Sequence, residues 1–210
     1  MMIELSTLLT FMLAVLLLFL SPGSNMFFVL SHGIAHGSSG GLAAGFGIVA
    51  ADLVLTFLTA TGVTALIAAL PASFDVLRLA GALYLLWLAF QSLKSSGTPK
   101  LTQSQAMPKL EIFRRAMLNS LLNPKALLFF MLFLPQFANA KNGNVGWQLL
   151  ILGLVLTVIS MFFHSALGIF SGSIGQLLTR YPKAAKVQSW FLAAVMIFLA
   201  ARLVLLERPA

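Results

Sequence analysis

Apolar runs long enough to cross a bilayer follow one another along this chain, with hardly a charge inside them. A membrane-crossing helix needs about 20 apolar residues. That ruler gives six candidate spans, at residues 5–30, 42–69, 74–93, 114–138, 146–178 and 187–206. The chain has 210 residues, of which 60% are hydrophobic and 9% charged, whereas a soluble domain is about a quarter charged. So few charges cannot keep that much apolar surface in water. A soluble enzyme, a disordered chain and a nucleic-acid binder are thereby excluded, and an all-α integral membrane protein is expected. The chain has no cysteine, so thiol chemistry is absent. His32, His36 and His164 are too few and too scattered for a metal site. Neither metal nor cofactor is expected.

The first run carries Glu4 and no Lys or Arg ahead of it, and no small-residue cleavage site follows. It therefore reads as a retained first span rather than a leader. The connections are short, and the longest polar stretch, 94–111, reads as a flexible linker. The expected organisation is a single membrane domain: repeat one at 1–93, a linker at about 94–113 and repeat two at 114–210.

Positive charge sets the direction. The loops after spans one, three and five hold Lys94, Lys100, Lys109, Arg114, Arg115, Arg180, Lys183 and Lys186. The opposite side holds Arg78, Lys141, Arg202 and Arg208. The richer side is expected to be cytoplasmic, with both termini outside. The net charge of +8 then reports loops facing an anionic membrane surface.

Six spans divide into three and three, and the second set would enter from the opposite side, as in inverted-repeat transporters. Leu20-Ser21-Pro22-Gly23 aligns with Leu122-Asn123-Pro124-Lys125, the two prolines lying 102 residues apart. Proline has no N–H and clashes with the carbonyl four residues earlier. Carbonyls near Leu18 and Ser120 are therefore freed, and lipid cannot satisfy them. A plain kink is the structural alternative for one such proline. Two in matching positions, each beside Gly or Asn, favour a binding site.

Ionisable groups in hydrocarbon are costly and usually functional. Asp52 and Lys125 each lie ten or so residues into a span that starts on the cytoplasmic side, roughly 15 Å deep. Residues Pro22, Gly23, Ser24 and Asn25 fall in nearly the same layer. Asp52 and Lys125 are expected to pair, either to lock the fold or to be contested by substrate and proton. Ser24, Asn25, Ser120 and Asn123 add hydrogen-bonding groups, and the half-helix after Gly23 adds free N–H groups.

Other polar residues carry less. His164, mid-span, is a proton-relay candidate or a helix contact. Thr56, Thr59 and Thr61 read as bonded to their own helix, Gln136 beside Pro135 as a gate, and Arg202 as snorkelling. His32 and His36 fall in a Gly/Ser-rich stretch and read as solvated. Gly33, Gly37, Gly41 and Gly45, with Gly168 and Gly172, read as close helix packing.

With these residues the chain resembles the LysE/RhtB superfamily of amino-acid exporters over essentially its whole length. The resemblance rests on Leu20 through Asn25, Gly41 with Asp52, Gly81, and Tyr84 through Leu88. Its strongest part is Asn119 through Lys125, continuing to Leu134-Pro135-Gln136-Phe137. The family commonly has Pro-Gly-Pro-Asn where this chain has Ser24 in place of the second proline. The resemblance implies six spans as two inverted three-helix repeats, the first and fourth broken at proline. It also implies proton-coupled amino-acid export across the bacterial inner membrane. Asp52 offset by Lys125 makes a poor cage for an extra positive charge, so neutral amino acids such as threonine, homoserine or leucine are expected. Basic amino acids, another small metabolite or a non-transporting scaffold are the alternatives.

The expected mechanism places the substrate carboxylate at Lys125 and the N–H groups after Gly23. Its ammonium meets Asp52 and the carbonyls freed by Pro22 and Pro124. Asp52 and His164 carry the proton. The expected partners are the amino acid, protons and the bilayer, with no nucleic acid, and the chain acts as a monomer or homodimer.

Overall fold

The computed structural model describes residues 3–21, 23–69, 73–94 and 107–180, with single positions between Val187 and Ala201. The side chains of 63–75, 77, 78, 92 and 178–180 lie outside that description. Pro22, Arg202, most of the expected linker and much of the expected sixth span lie outside it too.

Among the described residues every regular element is helical. The first helix, α1 (Leu5–Leu20), buries Phe11, Ala14, Val15 and Leu18, the i, i+3, i+4, i+7 pattern of a single stripe. Its other face carries Leu9 and Leu13, more than half exposed, as a lipid-facing surface requires. Helix α2 (Ser24–Ala69) follows almost at once and contains one non-helical residue, Gly37, at φ 72° and ψ −176°. Next come α3 (Ser73–Lys94), α4 (Lys109–Leu121) and α5 (Pro124–Leu128). Helix α5 runs on through a π turn at Phe129–Phe133 and a 3₁₀ turn at Leu134–Phe137. Helices α6 (Val145–Ile169) and α7 (Ser171–Arg180) follow, and the described positions between Val187 and Ala201 are helical too.

Helix α2 is a hairpin. A methyl group on Gly41 would stand 2.6 Å from Gly168 Cα, and one on Gly33 would stand 3.2 Å from the Gly168 carbonyl oxygen. Eight residues of straight helix span about 12 Å, so both can meet Gly168 only if the chain turns back between them. Gly37 makes that turn, in a left-handed conformation open to residues without a Cβ. Val29 and Leu30 accordingly share one buried cluster with Ala44 and Ile48.

Three differences from expectation follow. The stretch 31–41 stays helical on both sides of Gly37, since its small residues serve close packing rather than a loop. His32 is consequently buried, its ring stacked 4.2 Å from that of Phe28. The fifth run does not continue to 178: α6 stops at Ile169, Phe170 leaves the helix at φ −94° and ψ 14°, and α7 begins at Ser171.

Among the described residues two helices are long and apolar enough to cross a membrane, Ser24–Gly62 and Val145–Ile169, the former folded back at Gly37. Lys109–Leu121 with Pro124–Phe137, bent by 52°, forms a third as a pair. The chain is an all-α membrane protein. Its larger apolar cluster joins α1, Leu55 and Ala60 of α2, α3, the π turn after α5 and α6, with Ala193, Met196 and Ala200, and the smaller joins the two arms of α2 to α4 and Leu167.

Candidate functional site

Two interruptions face each other. Helix α1 stops at Leu20 and α2 starts at Ser24, while α4 stops at Leu121 and α5 starts at Pro124. The second restart is capped by Asn123, whose side-chain oxygen accepts the Lys125 N–H at 3.0 Å, the usual device for an unsatisfied first-turn donor.

Lys125 joins the two interruptions. Its ammonium donates to the carbonyl oxygens of Leu18 at 3.0 Å and Ser21 at 2.7 Å. Pro22 has no N–H to offer Leu18, so a cation completes the shell of a carbonyl short of its helical partner. The end of α1 also favours positive charge. Two of the three ammonium hydrogens are thereby used. The Lys125 carbonyl accepts the Tyr84 hydroxyl at 2.7 Å. Gly23 lies against the lysine: a methyl group there would stand 3.6 Å from Nζ.

Asn25, at the start of α2, ties to the other interruption through three bonds. Its Nδ2 donates to Ser120 Oγ at 2.9 Å. Its Oδ1 accepts from Asn119 Nδ2 at 3.0 Å and from Asn123 Nδ2 at 3.1 Å.

Asp52 on α2 is 3% exposed. Ser160 Oγ donates to its Oδ2 at 2.5 Å, and His164 Nδ1 lies 3.0 Å from the same Oγ. His164 Nδ1 is also 3.0 Å from the Ser160 carbonyl oxygen. A carbonyl only accepts, so Nδ1 bears the hydrogen. The result is a buried chain from His164 through the Ser160 hydroxyl to Asp52. Among the described residues, the second Asp52 oxygen accepts no hydrogen bond.

These groups line one cavity of about 40 Å³, with Ser21, Gly23, Asn25, Asp52, Asn123, Lys125 and His164 at its polar side. Phe19, Phe129, Phe130 and Leu156 form its apolar side. A cavity of about 150 Å³ holds benzene, so in this state the space admits water and nothing larger. Asp52 and Lys125 share the cavity, but no salt bridge joins them, contrary to the expected pair. Lys125 is drawn instead to the end of α1 and Asp52 to Ser160.

Ser24 and Pro124 face a separate open groove rather than this cavity. Gln136 donates to the carbonyl oxygen of Leu132 in its own helix at 3.0 Å and does not reach the cavity. Thr56 and Thr61 bond to their own helix, at Asp52 O and Phe57 O. Sequence reasoning missed Ser160, whose only signal is its i, i+4 spacing from His164. It also gave no separate role to Asn119 and Tyr84, which stood only within the family motifs.

The LysE type translocator family model matches residues 16–207. The chain is 40% identical over 205 residues to the leucine efflux protein of Klebsiella pneumoniae, covering 95% of each. It is 39% identical over 200 residues to the leucine efflux protein of Enterobacter sp. (strain 638), covering 92% of this chain and 93% of that one. The leucine efflux protein of Salmonella typhimurium is 32% identical over 200 residues, with 94% of each covered. No solved structure matches the chain. A family model spanning nearly the whole chain, over a membrane fold whose broken helices meet at a charged cavity, places the chain in the LysE type translocator family.

Proposed function

We propose that the chain exports neutral amino acids, leucine foremost, from the bacterial cytoplasm by proton antiport. The carrying observation is the cavity itself: among the described residues, one free donor on a cation, one free acceptor on an anion, and an aromatic wall opposite. An amino-acid zwitterion with an apolar side chain complements all three. Its carboxylate meets the third hydrogen of the Lys125 ammonium and the N–H groups after Gly23. Its ammonium meets the open oxygen of Asp52. The Leu18 carbonyl, taken by Lys125, leaves the substrate-binding set first expected.

Proton coupling runs through the chain of His164, Ser160 and Asp52. A proton reaching Asp52 cancels its charge and releases the ammonium, and loss of that proton resets the site. The scaffold for this exchange is six spans in two inverted repeats, 1–93 and 114–210, hinged where Pro22 and Pro124 interrupt the first and fourth helices. Both termini lie outside the cytoplasm. The relatives named as leucine efflux proteins support leucine as the first substrate to test.

Cells loaded with leucine-containing dipeptides and expressing the chain test this. Leucine release faster than in empty cells is expected, lost with an uncoupler and lost in Lys125→Ala at equal abundance. Release unchanged by expression would overturn the substrate assignment.

A further inference from the structure

A second space lies against this cavity, sharing Asn123 with it. It is an open groove of about 410 Å³, lined by Ser24, Arg115, Leu118, Asn119, Asn123 and Pro124 among others. Asn123 borders both spaces, Asn25 borders the inner one and Asn119 the outer. The partition is the amide cluster: Asn119 Nδ2 to Asn25 Oδ1 at 3.0 Å, with Asn25 Nδ2 to Ser120 Oγ at 2.9 Å beside it. A groove carrying a guanidinium, a hydroxyl and two amides is poorly matched to lipid. Water suits it, and the charged neighbours Arg115 and Glu111 at its α4 end are paired and exposed.

We propose that Asn25, Asn119 and Ser120 form the latch of a gate between this water-filled vestibule and the inner cavity. Substrate passes when the bonds on Asn25 part. Three observations carry this. The cavity is too small for an amino acid, so some wall must move. Asn25 stands at the start of one half-helix, Asn119 and Ser120 at the end of another and Asn123 at the cap of the next, so parting their side chains breaks no helical ladder. The bonded groups are neutral amides and a hydroxyl, which water entering the gap replaces without stranding a charge. Asn119 is thus a gating residue that need not touch the bound substrate. The proposal rests on the inner cavity being the translocation site.

The chain has no cysteine, so Ala126→Cys places a lone thiol on the cavity wall. Its labelling by a charged, membrane-impermeant maleimide is timed in inside-out and right-side-out vesicles. Adding Asn119→Ala is expected to speed labelling from the groove side about fivefold, the effect of removing one hydrogen bond of ordinary strength from the closed state. Asn119→Ser, polar but too short to reach Asn25, is expected to do the same. Leu118→Ala, in the same groove but outside the cluster, is expected to stay within about twofold. Unchanged labelling in both Asn119 variants overturns the gate. Labelling needs no substrate, so the two ideas separate. Faster labelling in a chain that moves no amino acid keeps the gate and overturns the export reading. Unchanged labelling in a chain that exports leucine overturns the gate alone.

Discussion

Ser160 stands between Asp52 and His164. Its hydroxyl has one hydrogen to give, and Asp52 takes it. Its oxygen remains to accept from His164. Ser160→Ala is therefore expected to cut proton-driven leucine efflux at least about tenfold, since a hydrogen bond to a charged group is among the stronger ones. Leucine–leucine exchange, which needs no net proton movement, should persist. Equal loss of both activities would make Ser160 structural only. A second prediction concerns close approach. A methyl on Gly41 would stand 2.6 Å from Gly168 Cα, backbone that cannot yield. Gly41→Ala should cost about 1–3 kcal/mol in thermal unfolding in detergent, as overpacking does. Gly62 has nothing within 4 Å of an added methyl, so Gly62→Ala should be neutral or stabilising. At this scale much of the site was legible: Asp52, Lys125, Asn25 and Asn123 stand out because polar groups in an apolar run need a reason. Ser160 did not, because a serine can bond its own helix and so sits quietly in any span. The expected Asp52–Lys125 pair failed for a similar reason. Opposite charges at one depth say nothing of the carbonyls and hydroxyls that compete for each.

Helix interruptions are where these elements do their work. Asn123 both caps α5 and donates to Asn25. Asn123→Ala should lower stability by about 2 kcal/mol, roughly half from the cap and half from the lost bond. Asn123→Ser, which can still cap, should recover about half in the same melting experiment. A full loss with Ser would mean the cap contributes little. The element scale was legible where a long apolar run forces the outcome. Helix α3 falls close to where the sequence puts it. Gly and Ser misled at 31–41 because the same small residues serve loops and tight helix contacts, and only the packing partner, here Gly168, decides between them. The end of α6 at Ile169 is marked by Ser171, Gly172 and Ser173, and was passed over because Ile174, Leu177 and Leu178 resume the apolar pattern beyond them.

Among the described residues a charged, water-sized cavity lies between apolar clusters, and Asn123 lines both it and an open groove. Its outward faces carry residues such as Leu13, Phe57, Leu83 and Phe162, each well exposed, which lipid covers. A zwitterion bound between fixed opposite charges, released by a proton on one of them, is the simplest cycle this layout supports. Purified protein in liposomes tests that cycle most directly. With labelled leucine inside, an imposed pH gradient, acidic on the receiving side, should drive leucine out against its own gradient. An ionophore should abolish the drive, and Asp52→Asn should retain only uncoupled exchange. Leucine movement indifferent to the pH gradient in the unaltered chain, or full proton-driven transport by Asp52→Asn, would contradict it.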